Sequence, residues 1–144
     1  EFIKKKKLFF SHTSYTIIDK SNNKLSKRIA NKEITYKDLL KSCNIGLSTV
    51  VIRREVLEVL KFPNLRTKED YVLWLNISKK IKIAGIKKNL VFWRKLDNSL
   101  SSNFFQKILD GFKVYNTYFK YNIIISFIYL IRLSFNFLKK EYLD

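Results

Sequence analysis

The one adjacent acidic pair in the chain, Glu69-Asp70, follows Thr67 at the start of a helix-like run. A carboxylate at a helix N-terminus stays ionised beside unpaired N–H groups and the positive dipole end. There it can accept a proton from a substrate hydroxyl placed opposite. The same pair can instead do no more than satisfy the first turn of the helix. Trp74, one turn further on, is placed either to stack on a sugar ring or to fill a core. Arg94 closes an apolar run and precedes the polar stretch 96–102, which contains Ser99 and Ser101. A guanidinium fork beside such a loop suits a diphosphate, and it also suits a plain strand terminus.

Simple counts remove other chemistries. One Cys and one His cannot build a zinc site or a disulfide framework. A Ser-His-Asp triad would have to recruit His12 from a Ser/Thr-rich, strand-like run. The three glycines, Gly46, Gly85 and Gly111, do not cluster into a phosphate loop. The excess of 29 Lys+Arg over 12 Asp+Glu, formally +17, points towards nucleic acid or an anionic membrane. The basic residues are mostly Lys, in a chain rich in Ile and Asn, so AT-rich coding bias explains part of the charge. They are also scattered, and no nucleic-acid motif accompanies them. The Lys4 to Lys7 run reads as solvated. Glu1-Phe2-Ile3 followed by those lysines lacks the charged-then-apolar order of a secretory signal. The chain contains no Met, so a start inside a longer protein is expected.

These residues need elements to position them. Leu8 to Asp19 is β-branched and aromatic and reads as one strand or two short ones. Ser21-Asn22-Asn23 reads as a turn, and Lys24 to Lys32 as an exposed connection. Thr35 with Asp38 forms a capping-box pattern for a short helix through Leu40. Leu47 to Ile52 has the pattern of a buried strand, and Arg53 to Leu60 that of a helix ended by Phe62-Pro63-Asn64. Thr67 is expected to cap the helix that carries Glu69 and Asp70, with Lys79 and Lys80 closing it. Ile81 to Ile86 and Leu90 to Arg94 read as two strands around Lys87-Lys88-Asn89. From Asn103 to Lys140 the pattern is helical, with a break near Gly111 or Tyr121-Asn122. The order is mixed α/β.

The segment 121–140 has an apolar run too short to span a bilayer, which needs about 20 residues. On a helical wheel Ile124, Phe127, Ile131, Phe135 and Leu138 share one side. Asn122, Tyr129, Arg132, Asn136, Lys139 and Lys140 share the other. This amphipathic basic helix suits either peripheral contact with a membrane interface or packing on its own domain.

The run Ile34-Thr-Tyr-Lys-Asp-Leu-Leu-Lys-Ser-Cys-Asn-Ile-Gly-Leu-Ser-Thr-Val-Val-Ile-Arg-Arg54 resembles the second half of bacterial family 2 glycosyltransferases. So does Phe62-Pro-Asn-Leu-Arg-Thr-Lys-Glu-Asp-Tyr-Val-Leu-Trp-Leu75. Leu90-Val-Phe-Trp-Arg94, Asn98 to Asn103, the opening Glu1-Phe2-Ile3, Phe10 to Tyr15 and Ile18-Asp19 continue the order. The resemblance implies a partial GT-A fold, Rossmann-like, with a mixed sheet and helices. Residues 1–103 would be the acceptor-side part of a catalytic domain, and 104–144 a C-terminal helical segment, whose amphipathic pattern leaves both membrane contact and packing on the domain open.

It further implies hexosyl-type transfer from a nucleotide-sugar donor to a glycan or lipid-linked acceptor. Such transfer serves cell-envelope polysaccharide or lipopolysaccharide synthesis at the cytoplasmic face of the membrane. Asp70, with Glu69 beside it, would be the base of an inverting reaction. Gly46 and Ser48, in Asn44-Ile-Gly-Leu-Ser-Thr49, would line the site, joined by Trp74, and Arg94, Ser99 and Ser101 would meet the diphosphate. The family's Asp-x-Asp motif, which holds Mn or Mg, occurs nowhere in this chain. The resemblance therefore implies a C-terminal portion without the nucleotide-binding half, inactive alone. The alternative is a non-enzymatic basic module for anionic membranes or nucleic acid.

Overall fold

The computed structural model describes residues 2–96 and 103–142, with side chains through residue 140. After a single turn of helix, α1 (Phe2–Lys5), the apolar run forms β1 (Phe10–Ile18), the strand around which the sheet is built. Along one edge it pairs in parallel with β5 (Ile83–Arg94) over its whole length. The opposite edge is shared. Near its start β1 meets β4 (Val51–Ile52), and near its end β2 (Lys24–Arg28), both antiparallel. β3 (Glu33–Ile34) adds to the far edge of β5, also antiparallel. The sheet is therefore mixed and the fold α/β.

Several local expectations hold. The Ser21–Asn23 turn is tied by Asp19, whose carboxylate accepts from the amides of Ser21 and Asn23, each at 2.8 Å. α2 (Tyr36–Lys41) begins with both halves of the capping box, Asp38 N–H to Thr35 Oγ1 and Thr35 N–H to Asp38 Oδ2. α3 (Arg54–Val59) forms as patterned. Helix α5 (Phe104–Lys113) runs into a π-helical turn, Val114–Tyr118, and the chain breaks at Tyr121-Asn122 before α6 (Ile123–Tyr142). Gly111 stays inside α5, where a Cβ would meet Leu130 Cδ1 at 2.8 Å, so its smallness brings α5 and α6 together.

Four expectations are corrected. Lys24 to Lys32 is not all connection, since its first five residues form edge strand β2, whose lysines suit an unpaired edge. Leu47 to Ile52 is not a buried strand. Gly46 O accepts from both the amide (2.9 Å) and the hydroxyl (2.7 Å) of Thr49, and these bonds wind Leu47–Thr49 into a 3-10 turn. Only Val51 and Ile52 reach β1, and the Val51 side chain is exposed. The two strands after Ile81 are one, because Lys87 to Leu90 is absorbed as bulges opposite Thr13, Ser14 and Tyr15. Thr67 does not cap its helix, for the reason given below.

That helix, α4 (Glu69–Ser78), is apolar on all sides, and Tyr71, Val72, Leu73, Trp74, Leu75 and Ile77 are all buried. A helix of this kind belongs inside a core rather than on a surface. It lies among Phe10 and Ile83 of the sheet, Leu39 and Leu40 of α2, Val114 and Tyr115, and Leu130 and Leu133 of α6. Residues on both sides of position 103 thus contribute to one core. Each such fully buried side chain contributes about 1.5–3 kcal/mol, enough to hold the start of α4 in one place.

Candidate active site

The start of α4 is fixed from two directions. On one side Asp110 of α5, 1% exposed, accepts from the Thr67 amide at 3.0 Å and the Thr67 hydroxyl at 2.9 Å, both on Oδ2. Thr67 is thereby drawn away from the helix, and Lys68 becomes the N-cap residue in a left-handed conformation, φ 67°. Such a conformation in a residue with a Cβ costs about 1–2 kcal/mol and persists where neighbours enforce it. On the other side the Tyr71 hydroxyl donates to Leu39 O at 2.7 Å and lies 2.9 Å from the Tyr115 hydroxyl. These two clamps bracket Glu69 and Asp70.

Asp70 is half-buried at the N-terminus of α4. Its Oδ1 accepts from the Tyr71 amide at 2.7 Å. Burial, followed by the charge of Glu69, pushes its carboxyl above the ordinary aspartate value against the pull of that amide and of Lys68. Its charge is felt by Tyr15 and Cys43. Tyr15 is pushed up to about 12, mainly by burial, with Arg28 opposing. Gly46 packs on the Tyr15 ring, where a Cβ would stand 3.2 Å from Cε1. Asp70, Tyr15, Cys43 and Gly46 thus belong to one neighbourhood, flanked by Arg28, itself 8% exposed. Ser48 is exposed on the adjoining 3-10 turn.

The other residues singled out from the sequence fall elsewhere. Trp74 offers no stacking face. Its ring is 1% exposed, edge-on to Phe10 at 4.9 Å and to Phe62 at 6.3 Å. The Arg94 fork is already engaged. Nη1 donates to Asp19 O (2.9 Å) and Lys20 O (3.2 Å), and Nη2 to Asn22 Oδ1 (2.8 Å), so it braces the β1–β2 turn. Ser99 and Ser101 lie outside the described residues. His12 is wholly buried in β1 and neither ring nitrogen has a hydrogen-bond partner, so it is not a poised base.

Tyr15, Arg28 and Asp110 were not singled out in the sequence. The first two face each other only through the β1–β2 register, Tyr15 opposite Arg28. Asp110 acts across 43 residues. Among the described residues no three His, Cys, Asp or Glu side chains come together to hold a metal ion. The Mn or Mg implied by the resemblance belongs with an Asp-x-Asp motif, which this chain lacks.

No protein-family model matches the chain. Curated relatives do. Over 105 residues it is 38% identical to the putative teichuronic acid biosynthesis glycosyltransferase TuaG of Bacillus subtilis, covering 72% of this chain and 42% of the relative. Over 106 residues it is 39% identical to an Escherichia coli UDP-Glc:alpha-D-GlcNAc-diphosphoundecaprenol beta-1,3-glucosyltransferase, WfgD, covering 72% and 41%. An uncharacterized glycosyltransferase of Haemophilus influenzae is 29% identical over 137 residues, covering 94% and 54%. The chain spans about two fifths of the length of the first two.

Proposed function

The chain belongs to a family of bacterial glycosyltransferases, and we propose that it supplies the acceptor side of a sugar-transfer site with Asp70 as general base. The observation that carries this is the place of Asp70, half-buried beside Glu69 at the clamped start of α4, where burial raises its carboxyl. A base of this kind takes a proton more readily than an ordinary carboxylate. In the proposed step the acceptor hydroxyl oxygen attacks the anomeric carbon of a nucleotide-sugar. Its proton passes to Asp70, and the bond from that carbon to the diphosphate breaks, the electron pair leaving with the nucleoside diphosphate. Attack opposite the leaving group inverts the anomeric centre.

Burial and the like charge of Glu69 keep Asp70 basic, while Gly46, Ser48 and Tyr15 wall the acceptor. Arg28 is the buried cation nearest this wall, through its pairing with Tyr15. The donor is a nucleotide-sugar and the acceptor a glycan or lipid-linked sugar, used in cell-envelope polysaccharide synthesis on the cytoplasmic face of the membrane. A named relative using UDP-Glc and a diphosphoundecaprenol-linked acceptor supports that class.

The test is Asp70→Asn in the protein expressed from its complete gene, assayed with a panel of nucleotide-sugars. Transfer is expected to fall at least 1,000-fold while donor affinity stays within about twofold. Unchanged turnover would return Asp70 to a helix-terminal role.

A further inference from the structure

α6 does not pack through its most apolar side. It faces the core through Ser126, Leu130 and Leu133, all below 9% exposed. Asn136 Nδ2 donates to Lys41 O at 2.9 Å, and Lys140 donates to Ser42 Oγ and Asn44 Oδ1, so the polar end of this face ties α6 to the end of α2. Successive helical residues turn by about 100°, which sets Ile124, Phe127, Ile128, Ile131, Phe135 and Leu138 on the opposite side. Those six are between 50% and 72% exposed. The stripe continues onto α5 through the Phe112 and Phe127 rings, 5.0 Å apart, towards Phe105 and Ile108, both exposed. No helix among the described residues is long and apolar enough to cross a membrane.

We propose that this joint face of α5 and α6 docks on the surface of an anionic bilayer. The charges bordering it choose the occupant. Arg132 and Lys139 fall along one edge of the α6 stripe, and Lys113 along the edge of the α5 stripe; all three are exposed. Among the described side chains of the two helices the one carboxylate, Asp110, is buried beneath Thr67. An apolar stripe with a cationic border matches acyl chains below phosphate headgroups. A second copy seated on the same face would bring these cations against their own equivalents. At 1.5 Å per residue, α6, 20 residues long, would lie along the surface for about 30 Å. This inference is independent of the role of Asp70, since its readout is lipid binding.

The protein is sedimented with phosphatidylcholine vesicles, with and without about one quarter phosphatidylglycerol, near physiological salt. Binding to the anionic vesicles is expected. Ile131→Ser with Phe135→Ser, which leaves the charge unaltered, is expected to weaken it at least tenfold. Arg132→Gln with Lys139→Gln is expected to weaken it by about 30-fold. All four positions are exposed, so circular dichroism of both variants should match the native chain. Equal binding by the serine variant would reduce the effect to adsorption of a basic protein and overturn the proposal. So would absence of native binding, equal binding to neutral vesicles, or a dimer in sedimentation equilibrium that the serine variant dissolves.

Discussion

Removing Asp110 tests whether the start of α4 is held from outside the helix. Its Oδ2 receives both Thr67 bonds, at 3.0 and 2.9 Å, in a site 1% exposed. A hydrogen bond to a charged group is worth about 1.5–3 kcal/mol, and a buried donor left without a partner costs a similar amount. The Lys113 ion pair, at 3.6 Å with the lysine 51% exposed, adds little. Asp110→Ala should therefore cost about 3 kcal/mol. Because both Thr67 donors meet one oxygen, Asp110→Asn can keep both with its carbonyl while losing the charge and loosening its ties to Gln106 and Lys113, about 1 kcal/mol. With an m-value of about 2 kcal/mol/M, urea midpoints should fall by about 1.5 M for Ala and about 0.5 M for Asn. Thr67→Val should lie between them.

The pH dependence of the same series is fixed in sign. Burial works to raise the Asp110 carboxyl, but bonds from Gln106 and Thr67 and the charge of Lys113 hold it below the ordinary aspartate value. A depressed folded value means that this stability is present above the unfolded value and lost as pH falls through the folded one. The gap between native and Asn proteins should therefore close in acid. Equal midpoints for native and Ala proteins at neutral pH, or an Ala variant no worse than Asn, would refute the clamp.

Other outcomes follow from the same physics. Asp70 has a raised folded value, so its contribution is present below the unfolded value and lost as pH rises through the folded one. Asp70→Asn should thus raise the urea midpoint at pH 7, with the gain vanishing in acid, and the acid limb of native transfer activity should lie above the ordinary carboxylate range. Burial lowers the His12 imidazole to about 4 from 6.5. A neutral buried His must charge as pH falls, so about 3 kcal/mol of stability should be lost between these values, and His12→Leu should abolish most of that loss. A Cβ on Gly85 would stand 2.0 Å from Asn31 O, so Gly85→Ala should cost about 3 kcal/mol or more in urea unfolding by displacing the chain before β3.

The legible parts of this fold are those whose causes lie close in sequence. The capping box of α2 and the turn after β1 are written in side chains that bond backbone within four residues. α4 is legible as an element because its apolar run is continuous, and burial of that run on every side settles Trp74 in the core, one of the two places open to it. Thr67 could not be read correctly, since its partner is 43 residues away. The engagement of Arg94 is hidden from local sequence for the same reason, its acceptors lying more than 70 residues back. Leu47 to Thr49 carried strand-forming residues whose preference gave way to two bonds onto Gly46 O. A helical wheel sorted the residues of α6 into faces, yet it could not say which face the core would take.

The two carboxylates at either end of this arrangement sit in contrasting environments. Asp110 and Asp70 both suffer desolvation, yet their carboxyls move in opposite directions. Asp110 meets two donors from Thr67 and the charge of Lys113, which favour its ionised form. Asp70 meets the Tyr71 amide and a like charge at Glu69, which leave burial in control. A carboxylate serving only the helix terminus would be stabilised by the N–H groups it satisfies and would titrate low, as Asp110 does. Environments that push two carboxylates apart suit one to a structural bond and the other to the proton transfer proposed for Asp70. The base proposed at Asp70 would then depend on the clamp, and an Asp110→Ala protein that transfers sugar normally with an unshifted acid limb would separate them.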